Sequence, residues 1–248
     1  MEGYFLECTY IYCLSKTMDF NTFLNKLSTK PVRVVAPEVD FDAYIPIDLS
    51  VANKALDSLD VGSSTALNTY INKYLQSHQK LIAFGGYLER RSLYNRSAYF
   101  SESNAFEPRN IHLGIDFWCA AETAVLAAFD GVIHSYADNT NYGDYGPTVV
   151  LKHCVNNSVF YTLYGHLSRS SIKDLNKETQ ILKNQVIGFV GCSVINGDYA
   201  PHLHFQLIKD IENFKGDYPG VCSEKKLGFY SQNCPDPNLI LKLSKGNK

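Results

Sequence analysis

Apolar positions follow two different periods along the chain, and the change of period divides it. Phe20, Phe23, Leu24 and Leu27 fall at helical spacing and predict a short helix, which the stretch Ser28 to Pro37 ends. Ser50 stands as a candidate N-cap before Val51–Leu56. Ser63 or Ser64 similarly precedes a longer helix carrying Leu67, Tyr70, Ile71, Tyr74 and Leu75. From His112 onward the pattern alternates. Residues 123–129, 132–136, 148–153, 159–164, 186–190 and 202–207 are six strand-length runs bounded by turn residues, and Asp130-Gly131 between the first two predicts a hairpin. Such short connections favour antiparallel pairing. Residues 81–100 read as a strand or loop joining the two halves, with Glu89-Arg90-Arg91 a solvated or structural ion-pair face.

The predicted class is therefore α+β. Residues 1–105 form a mainly helical N-terminal extension, and 106–248 a mainly antiparallel β core, with the polar stretch Ser101–Asn110 as the boundary. Asp138–Pro147 is a loop long enough to carry function, Ser170–Glu178 the one helix of the second half, and the tail from Asn213, with Gly216, Pro219, Gly220, Pro235 and Pro237, an irregular wrap.

Composition narrows this further. A chain of 248 residues, 45% hydrophobic and 19% charged, buries a real core, and seventeen tyrosines and fourteen phenylalanines fit half-buried pleated faces. A formal net charge of −2 gives no reason to expect nucleic acid or an anionic membrane as partner. Seven scattered cysteines, Cys8, Cys13, Cys119, Cys154, Cys192, Cys222 and Cys234, include no Cys-x-x-Cys pair and read as small buried hydrophobes in a reducing compartment. The apolar first fifteen residues are interrupted by Glu2 and Glu7, and Lys16 stands where small residues would mark a cleavage site. No secretion signal is read there; the expected location is cytoplasmic, with export by an unrecognised route as the alternative, and Met18 is a candidate natural start. No run approaches the roughly 20 apolar residues of a membrane span.

Three strand-borne clusters hold the candidate chemistry. In His202-Leu203-His204 the two imidazoles, two residues apart on a strand, look to one face. His112 and Asp116 stand four apart in an apolar setting, where an unpaired carboxylate would cost several kcal/mol and a divalent cation would remove that cost. Tyr164-Gly165-His166 ends a third run with another histidine. Nitrogen donors plus one carboxylate suit zinc, and three protein ligands with an open fourth position are usual for a catalytic site. His78, His134 and His153 match no motif, and Asp217 and Asp236 read as turn residues.

His112-x-x-x-Asp116, then Tyr164-Gly165-His166, then His202-Leu203-His204, in that order over about residues 106–210, resembles the lysostaphin and LytM type zinc metalloendopeptidases. The resemblance implies a duplicated hybrid motif fold and one zinc ion per chain on His112, Asp116 and His204. It also implies a zinc-activated water assisted by the non-ligand histidines His166 and His202. The implied substrates are peptidoglycan-derived or related peptides. Two alternatives stand beside it: a non-catalytic module of the same fold that regulates a partner, and an intracellular zinc amidase for a small metabolite.

Overall fold

A computed structural model describes residues 18–96 and 107–244 of the chain. The readings placed on residues 1–17 (the absent export signal, the start at Met18, Cys8 and Cys13) lie outside the described residues, as does most of the boundary at 101–110. In chain order the elements are α1 (Phe20–Leu27), β1 (Tyr44–Pro46), α2 (Ser64–Ser77), β2 (Ile82–Gly85), β3 (Ile111–His112), β4 (Ile115–Trp118), β5 (Ala124–Leu126), β6 (Gly131–Asn139), β7 (Gly146–Val155), β8 (Ser158–Gly165), β9 (Gln180–Ile181), β10 (Val186–Phe189), β11 (His202–Ile208), β12 (Val221–Cys222), α3 (Leu227–Asn233) and α4 (Asn238–Leu241).

An eight-stranded sheet in the order β1-β2-β4-β11-β8-β7-β6-β9 dominates, with β10-β5 and β12-β3 as separate pairs. β1 and β2 run parallel; the other ladders are antiparallel. Alternation along β11 sorts its side chains. Leu203, Phe205 and Leu207 enter the main core with Ile115 and Phe117 of β4, which leaves His202, His204 and Gln206 on the opposite face. His204 stands opposite Asp116, and His202 opposite Trp118. Directly opposed residues share a face, so the pairing of these two central strands brings two of the sequence clusters together.

The helices outside the sheet have local causes. Asp19 caps α1 by accepting from the backbone N–H groups of Asn21 and Thr22, and Phe20 and Phe23 pack edge-on against Phe160. Ser63 caps α2, whose buried stripe Leu67, Ile71 and Leu75 joins Ile47, Ala83 and Trp118 in one cluster. That cluster backs Trp118 from behind the site.

Several expectations need correction. The N-terminal part is less helical than its periodicity predicts, since β1 and β2 extend the main sheet. No helix follows Ser50. Asn53 accepts from Ala55 N–H and donates to the Asp48 carbonyl, and this competition with the backbone leaves only a 3-10 turn at Lys54–Leu56. Asp130-Gly131 makes no hairpin: the Asp130 carbonyl accepts from His153 Nδ1 and its carboxylate from Lys183 N–H, so the chain passes from β5, paired with β10, to β6, paired with β7. The Ser168 hydroxyl bonds to those of Ser170 and Ser171, and Ser171 also accepts from Phe189 N–H, which confines the expected helix there to a 3-10 turn at Arg169–Ile172. The tail is not irregular but carries β12, α3 and α4. Cys222 and Cys234 are buried as expected, whereas Cys154 and Cys192 are exposed.

Candidate metal centre

His112 ends β3, Gly114 turns the chain, and Asp116 follows on β4 beside His204 of β11. The three side chains are buried and their donor atoms converge. His112 Nε2 lies 2.8 Å from His204 Nδ1 and 3.2 Å from Asp116 Oδ1, and His204 Nδ1 lies 3.1 Å from the same oxygen. A tetrahedral zinc with bonds near 2.0–2.1 Å sets its ligand atoms roughly 3.3 Å apart. The triangle therefore needs only a small expansion to hold such an ion.

Outer hydrogen bonds point each lone pair inward. His112 Nδ1–H donates to the Gly86 carbonyl at 3.0 Å, which leaves Nε2 as the free donor atom. Gln206 Nε2 donates to the Pro219 carbonyl and toward Cys234 Sγ, so its Oε1 accepts from His204 Nε2–H at 2.9 Å and turns Nδ1 to the centre. The Tyr145 hydroxyl stands 3.3 Å from the same His204 nitrogen. Burial drives the His112 pKa down to about 4, with the Asp116 charge opposing, so the ring is neutral and competent to bind metal at neutral pH. Burial works against ionisation of Asp116, but its interactions with His112 and with the Arg91 guanidinium hold its carboxyl well below the usual carboxylate range.

His166 and His202 face the same place without joining the triangle. Their rings lie 4.2 Å apart, and His202 Nε2 is 3.9 Å from Asp116 Oδ1. His166 Nδ1–H donates to the Asn196 carbonyl and His202 Nδ1–H to the Ala200 carbonyl, so both rings keep Nε2 as the unprotonated nitrogen. Burial lowers both pKa values; for His166 the neighbouring His202 and His204 add to the effect. His166 sits just past β8 in the left-handed region, φ 62°, pinned by a backbone bond to the Tyr145 carbonyl on one side and by Gly191 N–H on the other. Trp118 stacks on His202 with ring centroids 5.7 Å apart.

All five sequence-predicted residues thus meet at one place. The structure adds groups that the sequence reading passed over. Arg91 donates to Asp116 Oδ2, while Gly86, Gln206, Asn196 and Tyr145 orient the imidazoles. Only Gln206 had a visible signal, standing two residues beyond His204 on the same strand face. Of the remaining histidines, His153 is a satisfied buried strand residue, bonded to the Asp130 carbonyl and Thr162 Oγ1, and His78 lies at the exposed end of α2. A cavity of about 290 Å³ opens at the centre, and His112, His166, His204, Tyr145 and Tyr199 line it. Its other wall comes from the tail, including Asp217, Tyr218 and Tyr230. Asp217, expected as a turn residue, therefore faces this space, and burial together with nearby Asp144 raises its pKa.

Residues 110–216 match the model of Peptidase family M23. No curated protein matches the chain. Among solved structures, a Pseudomonas aeruginosa chain assigned to peptidase M23 is 22% identical with a TM-score of 0.36, the match covering 54% of this chain and 44% of that one. The catalytic domain of lysostaphin from Staphylococcus simulans is 22% identical with a TM-score of 0.35, covering 53% and 86%. A zinc-containing peptidase from Vibrio cholerae is 24% identical with a TM-score of 0.33, covering 48% and 35%. The chain thus spans less than half the length of the first and third of these.

Proposed function

We propose, from the match of residues 110–216 to the model of Peptidase family M23 and the geometry of the site, that the chain is a zinc-dependent metallopeptidase hydrolysing amide bonds in peptidoglycan-derived or related peptides. The observation that carries this reading is the convergence of His112 Nε2, Asp116 Oδ1 and His204 Nδ1 within 2.8–3.2 Å of one another beside a cavity. Bound there, one zinc ion per chain supplies a Lewis acid that polarises a carbonyl and acidifies water. The chain's own residues do the rest. His166 and His202 hold their Nδ1 protons on backbone carbonyls, which leaves Nε2 unprotonated on both rings; His166 lines the cavity with the His202 ring 4.2 Å from it, and the pair takes up a proton and returns it to the leaving amine. The Tyr145 hydroxyl, and either ring once its Nε2 carries the proton, also offers a hydrogen bond to developing negative charge.

Metal analysis of the purified protein together with a turnover panel of muropeptides, glycyl peptides and small amides tests this. One zinc per chain with cleavage of the peptides is expected; a metal-free protein, or a zinc protein inert on the whole panel, refutes it. A second reading, an amidase for a small molecule, is favoured by the tail residues Asp217 to Tyr230, which wall the cavity from beyond the matched segment. Cleavage confined to the small amides would select it.

A further inference from the structure

Asp116 uses its two oxygens for different tasks. Oδ1 faces His112 Nε2, His204 Nδ1 and, farther off, His202 Nε2. Oδ2 accepts from Arg91 Nη1 at 2.6 Å. Arg91 is 2% exposed, an unusual place for a guanidinium, and it lies 19 residues before the matched segment, which begins at residue 110.

The surroundings fix the guanidinium rather than merely neutralise it. Its Nε donates to Glu89 Oε2 at 2.5 Å, and Glu89 Oε1 in turn accepts from Leu49 N–H. Arg91 N–H bonds to the Asn110 carbonyl, Leu88 N–H to the His112 carbonyl and His112 N–H to the Glu89 carbonyl, so residues 88–91 are laced to the strand that carries the first histidine. The guanidinium carbon lies 5.3 Å from the Trp118 ring, whose own stacking partner is His202. Gly86, with φ 107°, leaves room for all of this. A Cβ there would overlap Arg91 Nη2 and come within 2.8 Å of His112 Nδ1, the atom that bonds to the Gly86 carbonyl.

We propose that Arg91, from the N-terminal extension, is a positioning residue for the metal centre: it occupies Asp116 Oδ2 so that the carboxylate presents Oδ1 alone, as a one-oxygen ligand. The extension is then part of the site and not an attachment to it. A planar fork reaching Glu89 and Asp116 at once is something arginine provides and lysine does not. This inference rests on the zinc reading above.

The test is the zinc dissociation constant, from competition with a chromophoric chelator, for wild type, Arg91→Lys, Arg91→Met and Glu89→Gln. Emission of Trp118, the chain's one tryptophan, reports the same site. Arg91→Lys and Arg91→Met are expected to weaken zinc binding about 10–100-fold, the usual effect of losing a partner of a ligand, and to shift Trp118 emission. Glu89→Gln, which weakens the hold on the guanidinium but leaves its contact with Asp116, is expected to weaken zinc binding less than either Arg91 variant. A folded Arg91→Lys protein that binds zinc like wild type overturns the proposal. So does a Glu89→Gln protein weakened as much as Arg91→Lys, because the affinity would then follow general loosening and not this contact. If Arg91→Met does not fold, Arg91→Lys decides. A wild-type protein that binds no zinc sinks the zinc reading itself, and this inference with it.

Discussion

Replacing Gly114 by alanine asks whether His204 is a metal ligand through the smallest possible push. Gly114 is not at positive φ, so alanine is tolerated by the backbone, and the new methyl alone carries the effect. Its Cβ would lie 2.7 Å from His204 Cε1, 2.8 Å from His204 Nε2 and 2.7 Å from the Phe205 carbonyl oxygen. Relaxed contacts between such atoms are about 3.5–4.0 Å. Phe205 O belongs to the middle of a central strand and cannot retreat cheaply, so the imidazole must shift by roughly 0.5–1 Å, several times the ~0.2 Å tolerance of a metal–ligand distance. Overpacking of this kind costs about 1–3 kcal/mol, partly offset by the ~0.4–1 kcal/mol that Gly→Ala removes from unfolded-state entropy. The variant should stay folded, lose about 1–2 kcal/mol in urea titration, and bind zinc at least ~10-fold more weakly in a chelator competition. Gly131→Ala is the matched control. Its Cβ would crowd the Lys152 carbonyl at 2.5 Å and His153 Nδ1 at 2.7 Å, a similar collision against an imidazole that serves no metal. It should lose comparable stability and keep wild-type zinc affinity. Gly114→Ala with unchanged affinity, or Gly131→Ala with reduced affinity, would refute the reasoning.

Three further outcomes follow from the same geometry. His166→Ala should keep one zinc per chain and lose most turnover, whereas His112→Ala should lose the metal; equal metal loss in both would erase the division between ligands and proton carriers. Tyr145→Phe removes a hydroxyl 3.3 Å from His204 Nε2 while Gln206 still orients that ring. It should leave zinc content unchanged and lower kcat more than KM, as steady-state kinetics would show. In the metal-free protein, acid should destabilise early. His112 and His153 have folded pKa values of about 4 against an ordinary 6.5, so the folded state binds fewer protons and stability present above pH 6.5 is lost as pH falls toward 4. Each ring contributes about 3 kcal/mol over that window. Urea midpoints should fall between pH 7 and pH 5, and a flat profile would contradict the burial of these neutral rings.

What was legible in the sequence is what depends on period and on spacing. Alternation marked the strands that became β6, β7, β8 and β11, and the i, i+2 rule placed His202 and His204 on one face. Register was not legible: that His204 would stand opposite Asp116 follows from strand pairing across 88 residues, which no local pattern encodes. The same limit hid Arg91. Within Glu89-Arg90-Arg91 the three charges look alike, yet Arg90 reaches exposed Glu224 whereas Arg91 is drawn under the sheet to Asp116. The elements misread, at Ser50, Asp130-Gly131 and Ser170, are places where polar side chains bond to backbone, locally at Ser50 and across the fold at Asp130 and Ser171, and override the pattern of apolar residues.

The account is tested most directly by the zinc stoichiometry of the purified protein and its His204→Ala and His202→Ala variants, measured by native mass spectrometry. It predicts one zinc per chain for the wild type and for His202→Ala, and none for His204→Ala. Zinc retained by His204→Ala, or lost equally from His202→Ala, would contradict it.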